Sequence, residues 1–391
     1  MDPIEFKDSP CGALIPTIEG QLAFVPKPLP PTIDYAAIIG PLTKAMQSIG
    51  ELNGLGRQLE NPLLVIRPLQ RHEALLSSAM EGTFSTANAL ALAEADADQY
   101  VDEATKEVRN YIRAFDYAQK ALEELPISNR LIKGTHQTLL SGLTTIRGAN
   151  KRPGEYKSQQ NFIGGRTRRI EDARFIPPPP HETEIAMADL ERYLNRNSSN
   201  GVPPIIDAGL MHYQFETIHP FADGNGRVGR ILIPIFLMQK QVLESPLLYI
   251  SPAVEGSKEE YADLMLAVSK HGHWTAWLVF FLNAVISACS KTAETIGRLV
   301  ALKNEFRRKI AVSGGSARYS AIADRLFTSP VISSPEAAEF LGVSYPAAQN
   351  ALGKLVELGI LYELQYTSHP KRFICTPVLD ITDPPEDAKA S

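Results

Sequence analysis

From residue 35 to residue 311 the apolar side chains recur every three or four positions. That spacing makes helices the main material of the fold. Ile38, Ile39, Leu42, Met46 and Ile49 form the first stripe, and a glycine-rich break at 53–56 is expected to end it. Further helices are expected over 68–78, 84–98, 105–124, 130–141, 182–194, 205–218, 227–241, 259–269, 273–290 and 293–311. Ser128 has the place and chemistry of an N-cap for the helix over 130–141. No fixed-period repeat is present.

Two segments escape the helical pattern. Residues 1–31 hold seven prolines and read as an extended arm. Residues 147–180, with Arg-Pro-Gly-Glu-Tyr-Lys, Asn-Phe-Ile-Gly-Gly and a run of four prolines after Ile176, read as an irregular hairpin. Ser313-Gly314-Gly315 marks a linker. Beyond it, Ser334-Pro335-Glu336 opens a helix that Gly342 closes, and a second helix buries Ala348, Ala351, Leu352, Leu355 and Leu358. Apolar strands at 360–364 and 372–376 complete the pattern of a winged helix-turn-helix.

The expected fold class is therefore mainly α: a helical bundle core with a β-hairpin flap and a C-terminal winged helix. The expected division is an arm and helical region at 1–100, a catalytic core at 101–311 and the winged helix at 312–391. With 391 residues and 44% hydrophobic side chains, the chain can bury a large core. A net charge of −5 argues against a coat for nucleic acid or for an anionic membrane. The three cysteines, Cys11, Cys289 and Cys375, are far apart, and no basic run followed by an apolar stretch opens the sequence. A cytoplasmic location is expected. The apolar stretch 274–289 is short for a membrane span and reads as a core helix.

The chemistry concentrates in HPFADGNGRVGR, residues 219–230. Gly224-Asn225-Gly226 opens directly onto a helix. Small residues let backbone N–H groups approach a ligand, and a helix N-terminus favours an anion. Arg227 and Arg230, three apart, are expected on one face beside that nest, an arrangement suited to a polyphosphate. Asp223 suits Mg2+ held jointly with phosphate oxygens. His219 suits a general base. Neither a P-loop nor a dinucleotide-binding fingerprint is present.

This dozen resembles, at every defining position, the His-x-Phe-x-Asp/Glu-Gly-Asn-Gly-Arg-x-x-Arg signature of Fic-domain proteins. Met211–Ile218 resembles the helix leading into it, and 152–180 resembles the family flap. The resemblance covers roughly residues 70–290. It implies transfer of AMP from ATP to a protein hydroxyl, with release of pyrophosphate. His219 is then the base, Phe221 the loop anchor and Asp223 the Mg2+ ligand. Gly224, Asn225 and Gly226 form the anion hole, with Asn225 on the phosphates, and Arg227 and Arg230 hold the β- and γ-phosphates. Ile163, Gly164 and Gly165 would bind a target segment by strand addition. Tyr261 is either an adenine-pocket residue or a core tyrosine, since the neighbouring family tyrosine is Ala262 here.

Ser77 to Gly82 fits the inhibitory motif Ser/Thr-x-x-x-Glu-Gly/Asn of the class with an N-terminal inhibitory helix. Glu81 would compete with a γ-phosphate for Arg230. The implied partners are ATP with Mg2+ and target-protein hydroxyls, the chain's own included; a homodimer is compatible, and no membrane is implied. Alternatives are another nucleotide donor, AMP removal, or a DNA-binding regulator whose Fic domain senses nucleotide. The second helix of the winged module offers Gln349, Asn350 and Lys354 but no arginine, which favours protein contacts over DNA.

Overall fold

The computed structural model describes residues 1–95, 101–144, 148–165, 167, 169–197, 201–364 and 370–383. The chain opens with a 3-10 turn, Pro3–Phe6, and an antiparallel hairpin, β1 (Gly12–Pro16) and β2 (Leu22–Pro26). The expected extended arm is thus a folded element. Its strand prolines stand at the ends, Pro16 opposite Leu22 and Pro26 opposite Gly12, where a missing N–H does not break the ladder.

Helices follow: α1 (Tyr35–Gln58), α2 (Leu63–Met80), α3 (Ala87–Ala95), α4 (Glu103–Leu122), α5 (Asn129–Leu139), α6 (Pro180–Leu194), α7 (Pro204–Ile218), α8 (Asn225–Gln239), α9 (Ser251–Val254), α10 (Lys258–His271) and α11 (Trp274–Val312). Ser128 does cap α5, accepting from the Leu131 N–H. Two expected breaks are absent. α1 runs through 53–56, because Ile49 and Leu52 are buried and a side chain at Gly54 would meet only open space. α11 runs unbroken for 39 residues: of the expected interruption at 291–292, Lys291 is exposed and Thr292 is buried among the core residues of the helix. By length and composition α11 could cross a membrane, but half of its most apolar window is buried inside the protein.

The C-terminal module consists of α12 (Ala317–Thr328), β3 (Val331–Ser333), α13 (Ser334–Leu341), α14 (Tyr345–Glu357), β4 (Tyr362–Glu363), β5 (Arg372–Ile374) and α15 (Thr376–Thr382). Its sheet has the order β3-β5-β4. A capping box starts α13 one residue earlier than expected: Ser333 and Glu336 bond each other's backbone N–H. The module is not set apart. One buried apolar cluster runs from Phe6 to Leu379, and α12 packs on α2. Arg71 of α2, 4% exposed, donates to the carbonyls of Phe327 and Thr328 and pairs with Glu94 at 2.5 Å. It thereby caps the last turn of α12.

Candidate active site

α7 is buried along almost its whole length and stops at His219, which takes a left-handed conformation with φ 48° before Pro220. Proline cannot continue the helix, and the left-handed residue turns the chain out of it. The His219 Nδ1 lies 3.3 Å from the Glu216 carbonyl. With Nδ1–H donating there, Nε2 is the free base. Burial first, then the Lys157 ammonium, pull the imidazole pKa down to about 4. His219 is thus neutral at pH 7.

Phe221 anchors the loop. Its fully buried ring stacks on His136 with centroids 3.8 Å apart and 11° between planes. The His136 Nδ1 accepts from the Gly154 N–H at 3.0 Å, so its Nε2 donates to the Asp223 carbonyl at 3.1 Å. Burial drives the His136 pKa to about 4, which keeps this neutral form. Gly224, with φ 76°, is the N-cap of α8.

Two of the expected phosphate-binding residues have partners within the chain. The Asn225 carboxamide accepts from the Phe221 N–H and donates to the Phe221 carbonyl, both at 2.9 Å. It closes the loop on itself. Arg227, 2% exposed, is paired with Glu107 of α4, and its second nitrogen lies 3.5 Å from Asp223. It ties α4 to the loop, and it still lies near enough to Glu81, the partner of Arg230, to help hold that carboxyl down. Spacing on one helix locates a side chain but does not reveal the carboxylate of another helix packed against it.

Arg230 turns to α2. Its Nε donates to Ser77 Oγ, and Nη2 donates to the Ser77 carbonyl and to Glu81 Oε1, each at 2.8 Å. Although burial opposes its charge, Glu81 and the other groups around it raise the Arg230 pKa further. The Glu81 carboxylate also rests on the start of α8: a Cβ on Gly226 would lie 2.2 Å from Glu81 Oε1. Burial pushes the Glu81 pKa up, but Arg230, then Arg227 and Lys258, outweigh it and hold the carboxyl below its usual range. An anionic group therefore already sits where first-turn amides lack intrahelical partners.

His219, Gly226, Arg230 and Glu81 line one cavity of about 210 Å³. Its apolar wall comes from Ile163, Phe175, Ala262, Met265 and Leu266. Tyr261 lines it as well, and its hydroxyl lies 2.6 Å from His212 Nε2, so it belongs to pocket and core together. Asp223 lies outside that lining, half-exposed on the loop, with Lys151 4.0 Å away. Ile163 forms a single antiparallel bridge with Phe175; Gly164 and Gly165 follow with φ 65° and 123°. A side chain at Gly165 would meet the Asp172 carbonyl at 2.6 Å. The flap is latched by an Arg174–Asp263 ion pair and backed by the arm, where Phe6 and Phe24 pack against Phe175.

Sequence reasoning missed His136, Lys157, Glu107 and Glu216. Glu216 lines the cavity with Oε1 unpartnered. Burial, reinforced by Glu81 and opposed by Arg230, raises its pKa to about 8. Nothing local marks these residues, although Lys157 and Glu216 lie in segments already singled out, 152–180 and 211–218.

Comparison with known proteins agrees with this geometry. Residues 39–120 match the Fic/DOC family N-terminal model, and residues 126–237 match the Fic/DOC family model, which spans the loop and Arg230. The chain belongs to the Fic/DOC family. Over 144 residues this Fic/DOC protein is 33% identical to a relative named protein adenylyltransferase Fic from Drosophila mojavensis, covering 36% of this chain and 26% of that one. The namesake from Drosophila grimshawi is 32% identical, covering 36% and 27%. The chain thus spans about a quarter of these curated relatives. A Fic family protein from Desulfovibrio desulfuricans shares the fold at TM-score 0.54 and 22% identity, over 89% of this chain and 98% of that one. Fic-1 from C. elegans does so at TM-score 0.50 and 17% identity, over 67% and 75%.

Proposed function

We propose that this Fic/DOC protein is a protein adenylyltransferase: it transfers AMP from ATP to a hydroxyl side chain of a protein, and Glu81 restrains it. The observation that carries this reading is one cavity shared by a neutral histidine, a helix N-terminus and a buried arginine, with a carboxylate of the same chain already on the anion seat.

The chemistry balances with these groups. His219 Nε2 takes the proton of the target hydroxyl, and the oxygen attacks the α-phosphorus. The bond to the bridging oxygen of the β-phosphate breaks, and pyrophosphate leaves. Loop amides and Arg230 stabilise the negative charge, so positioning and electrostatics carry the rate. Asp223 would hold Mg2+. A single half-exposed carboxylate beside a phosphate-binding loop fits a hydrated ion that shares its ligands with the nucleotide. When bound, it supplies charge neutralisation.

The apolar wall takes the base, with Tyr261 at its edge, and the flap bridge at Ile163 presents an edge for a target strand. Targets are cytoplasmic proteins, in keeping with three free, buried cysteines, and include the chain itself. The C-terminal module is a winged helix that contacts protein. Incubation of wild type, Glu81→Gly and His219→Ala with α-labelled ATP, Mg2+ and cell lysate tests the reading. Label is expected with Glu81→Gly and not with His219→Ala. Absence of label in all three overturns it.

A further inference from the structure

The turn that carries His219 is held by two residues five positions from end to end. Lys157 Nζ donates to the carbonyls of Ile218 at 3.2 Å and His219 at 3.0 Å, and to Asn161 Oδ1 at 2.8 Å. The Lys157 backbone N–H donates to the Pro220 carbonyl at 2.8 Å. Asn161 Nδ2 donates to the carbonyls of His219 at 3.1 Å and Phe221 at 3.0 Å. Four consecutive carbonyls, 218 to 221, therefore all accept from Lys157 or Asn161.

Such attention is unusual for a turn. The last carbonyls of α7 lack intrahelical partners, and a left-handed non-glycine residue persists only when its surroundings impose it. A cation at a helix C-terminus is favoured by the helix dipole. Lys157 is 4% exposed and burial pulls its pKa well below the usual lysine range, but its nitrogen faces three acceptors, which call for the three hydrogens of the ammonium. Two residues after Asn161, Ile163 enters the flap.

We propose that Lys157 is a positioning residue: with Asn161 it fixes the backbone that aims the His219 imidazole into the cavity, and it places its side-chain nitrogen against the turn that carries that ring. The first part stands on geometry alone; its role in the transfer rests on the adenylyltransferase reading. Around the same cavity, the Glu81 carboxylate at the end of α2 favours a protonated ring, Glu216 of α7 keeps its proton through neutral pH and adds no charge there, and Arg230 of α8, Lys258 of α10 and Arg174 of the flap add positive charge. Lys157 is the cation bonded to the histidine's own carbonyl.

The test uses the full chain in a Glu81→Gly background. Lys157→Met should lower kcat by about 10- to 100-fold, a share of what a positioned base supplies. The Kd for a fluorescent ATP analogue should change less than about threefold, and the acidic limb of the rate profile should move up by about one pH unit. Lys157→Arg should keep that limb in place. Asn161→Ala should lower kcat without moving the limb. A folded Lys157→Met that labels at the parent rate overturns the proposal, as does one that loses kcat and analogue binding in parallel with an unmoved limb. If Lys157→Met fails to fold, Asn161→Ala decides: an unchanged kcat overturns it. If the Glu81→Gly parent itself transfers no label, the functional reading fails separately. The clamp is then read by NMR titration of the His219 ring, whose midpoint rises in Lys157→Met; an unmoved midpoint overturns it.

Discussion

Replacing Glu81 by glycine takes one bond from Arg230 and leaves two, to Ser77 Oγ and the Ser77 carbonyl. The guanidinium is not stranded, so the 3–5 kcal/mol expected, roughly, on breaking a fully buried ion pair does not apply. A hydrogen bond to a charged group contributes about 1.5–3 kcal/mol. The Glu81 side chain is 37% exposed, and solvent screening brings that to about 1 kcal/mol. Because the folded pKa of Glu81 is depressed, this stability is present above the unfolded carboxylate range and is lost as pH falls through the folded value. The thermal midpoint should therefore drop by only about 1–3 °C at pH 7. The same contact opposes productive phosphate binding. Removing a competitor worth about 1–2 kcal/mol raises occupancy of the productive pose by roughly 5- to 30-fold. The assay is the initial rate of AMP incorporation from α-labelled ATP at fixed Mg2+, with Glu81→Gly/His219→Ala as the blank. Equal rates for wild type and Glu81→Gly would refute the competition argument. A fall in midpoint beyond about 10 °C would show Glu81 to be a structural prop.

Glu216→Gln isolates a pH effect. The folded carboxyl keeps its proton to about pH 8 while an unfolded glutamate loses it near ~4.3, so the wild type should lose stability relative to the variant as pH rises between them. The slope is at most about 1.4 kcal/mol per unit, read by urea unfolding at pH 5 and 7.5; parallel curves would contradict it. Phe6→Ala should cost about 3–5 kcal/mol and speed proteolysis within the flap, because Phe6 packs on Phe24 and Phe175; unchanged flap cleavage would separate arm from flap. Arg71→Ala should cost about 2–3 kcal/mol and expose the linker at 313–315 to protease, a result absent if α12 docks without it.

The dozen residues 219–230 were legible because their chemistry is local: a turn and the helix it opens are neighbours in sequence. The Ser77–Glu81–Arg230 contact joins positions some 150 residues apart, and only the family motif pointed to it. Nothing in the sequence neighbourhood of Arg227 or Asn225 signals their partners, Glu107 and the Phe221 backbone. In the fold, helical periodicity locates most helices, but the glycines at 53–56 and the polar pair at 291–292 signal breaks that packing overrides: a Cβ on Gly56 would lie 2.9 Å from Leu247, and Thr292 is buried. The arm's hairpin was hidden by its prolines, which sit only at strand ends.

α2 is gripped at two places. Arg71 holds the last carbonyls of α12, and ten residues later Glu81 holds Arg230. At 1.5 Å per residue the grips are about 15 Å apart on one rigid rod. Pivoting that rod about the Arg71 end by roughly 4° moves the far end by about 1 Å, enough to stretch a 2.8 Å bond past hydrogen-bonding range. The angle at which the C-terminal module seats on α2 is therefore part of what sets the length of the Glu81–Arg230 contact, some way from any nucleotide.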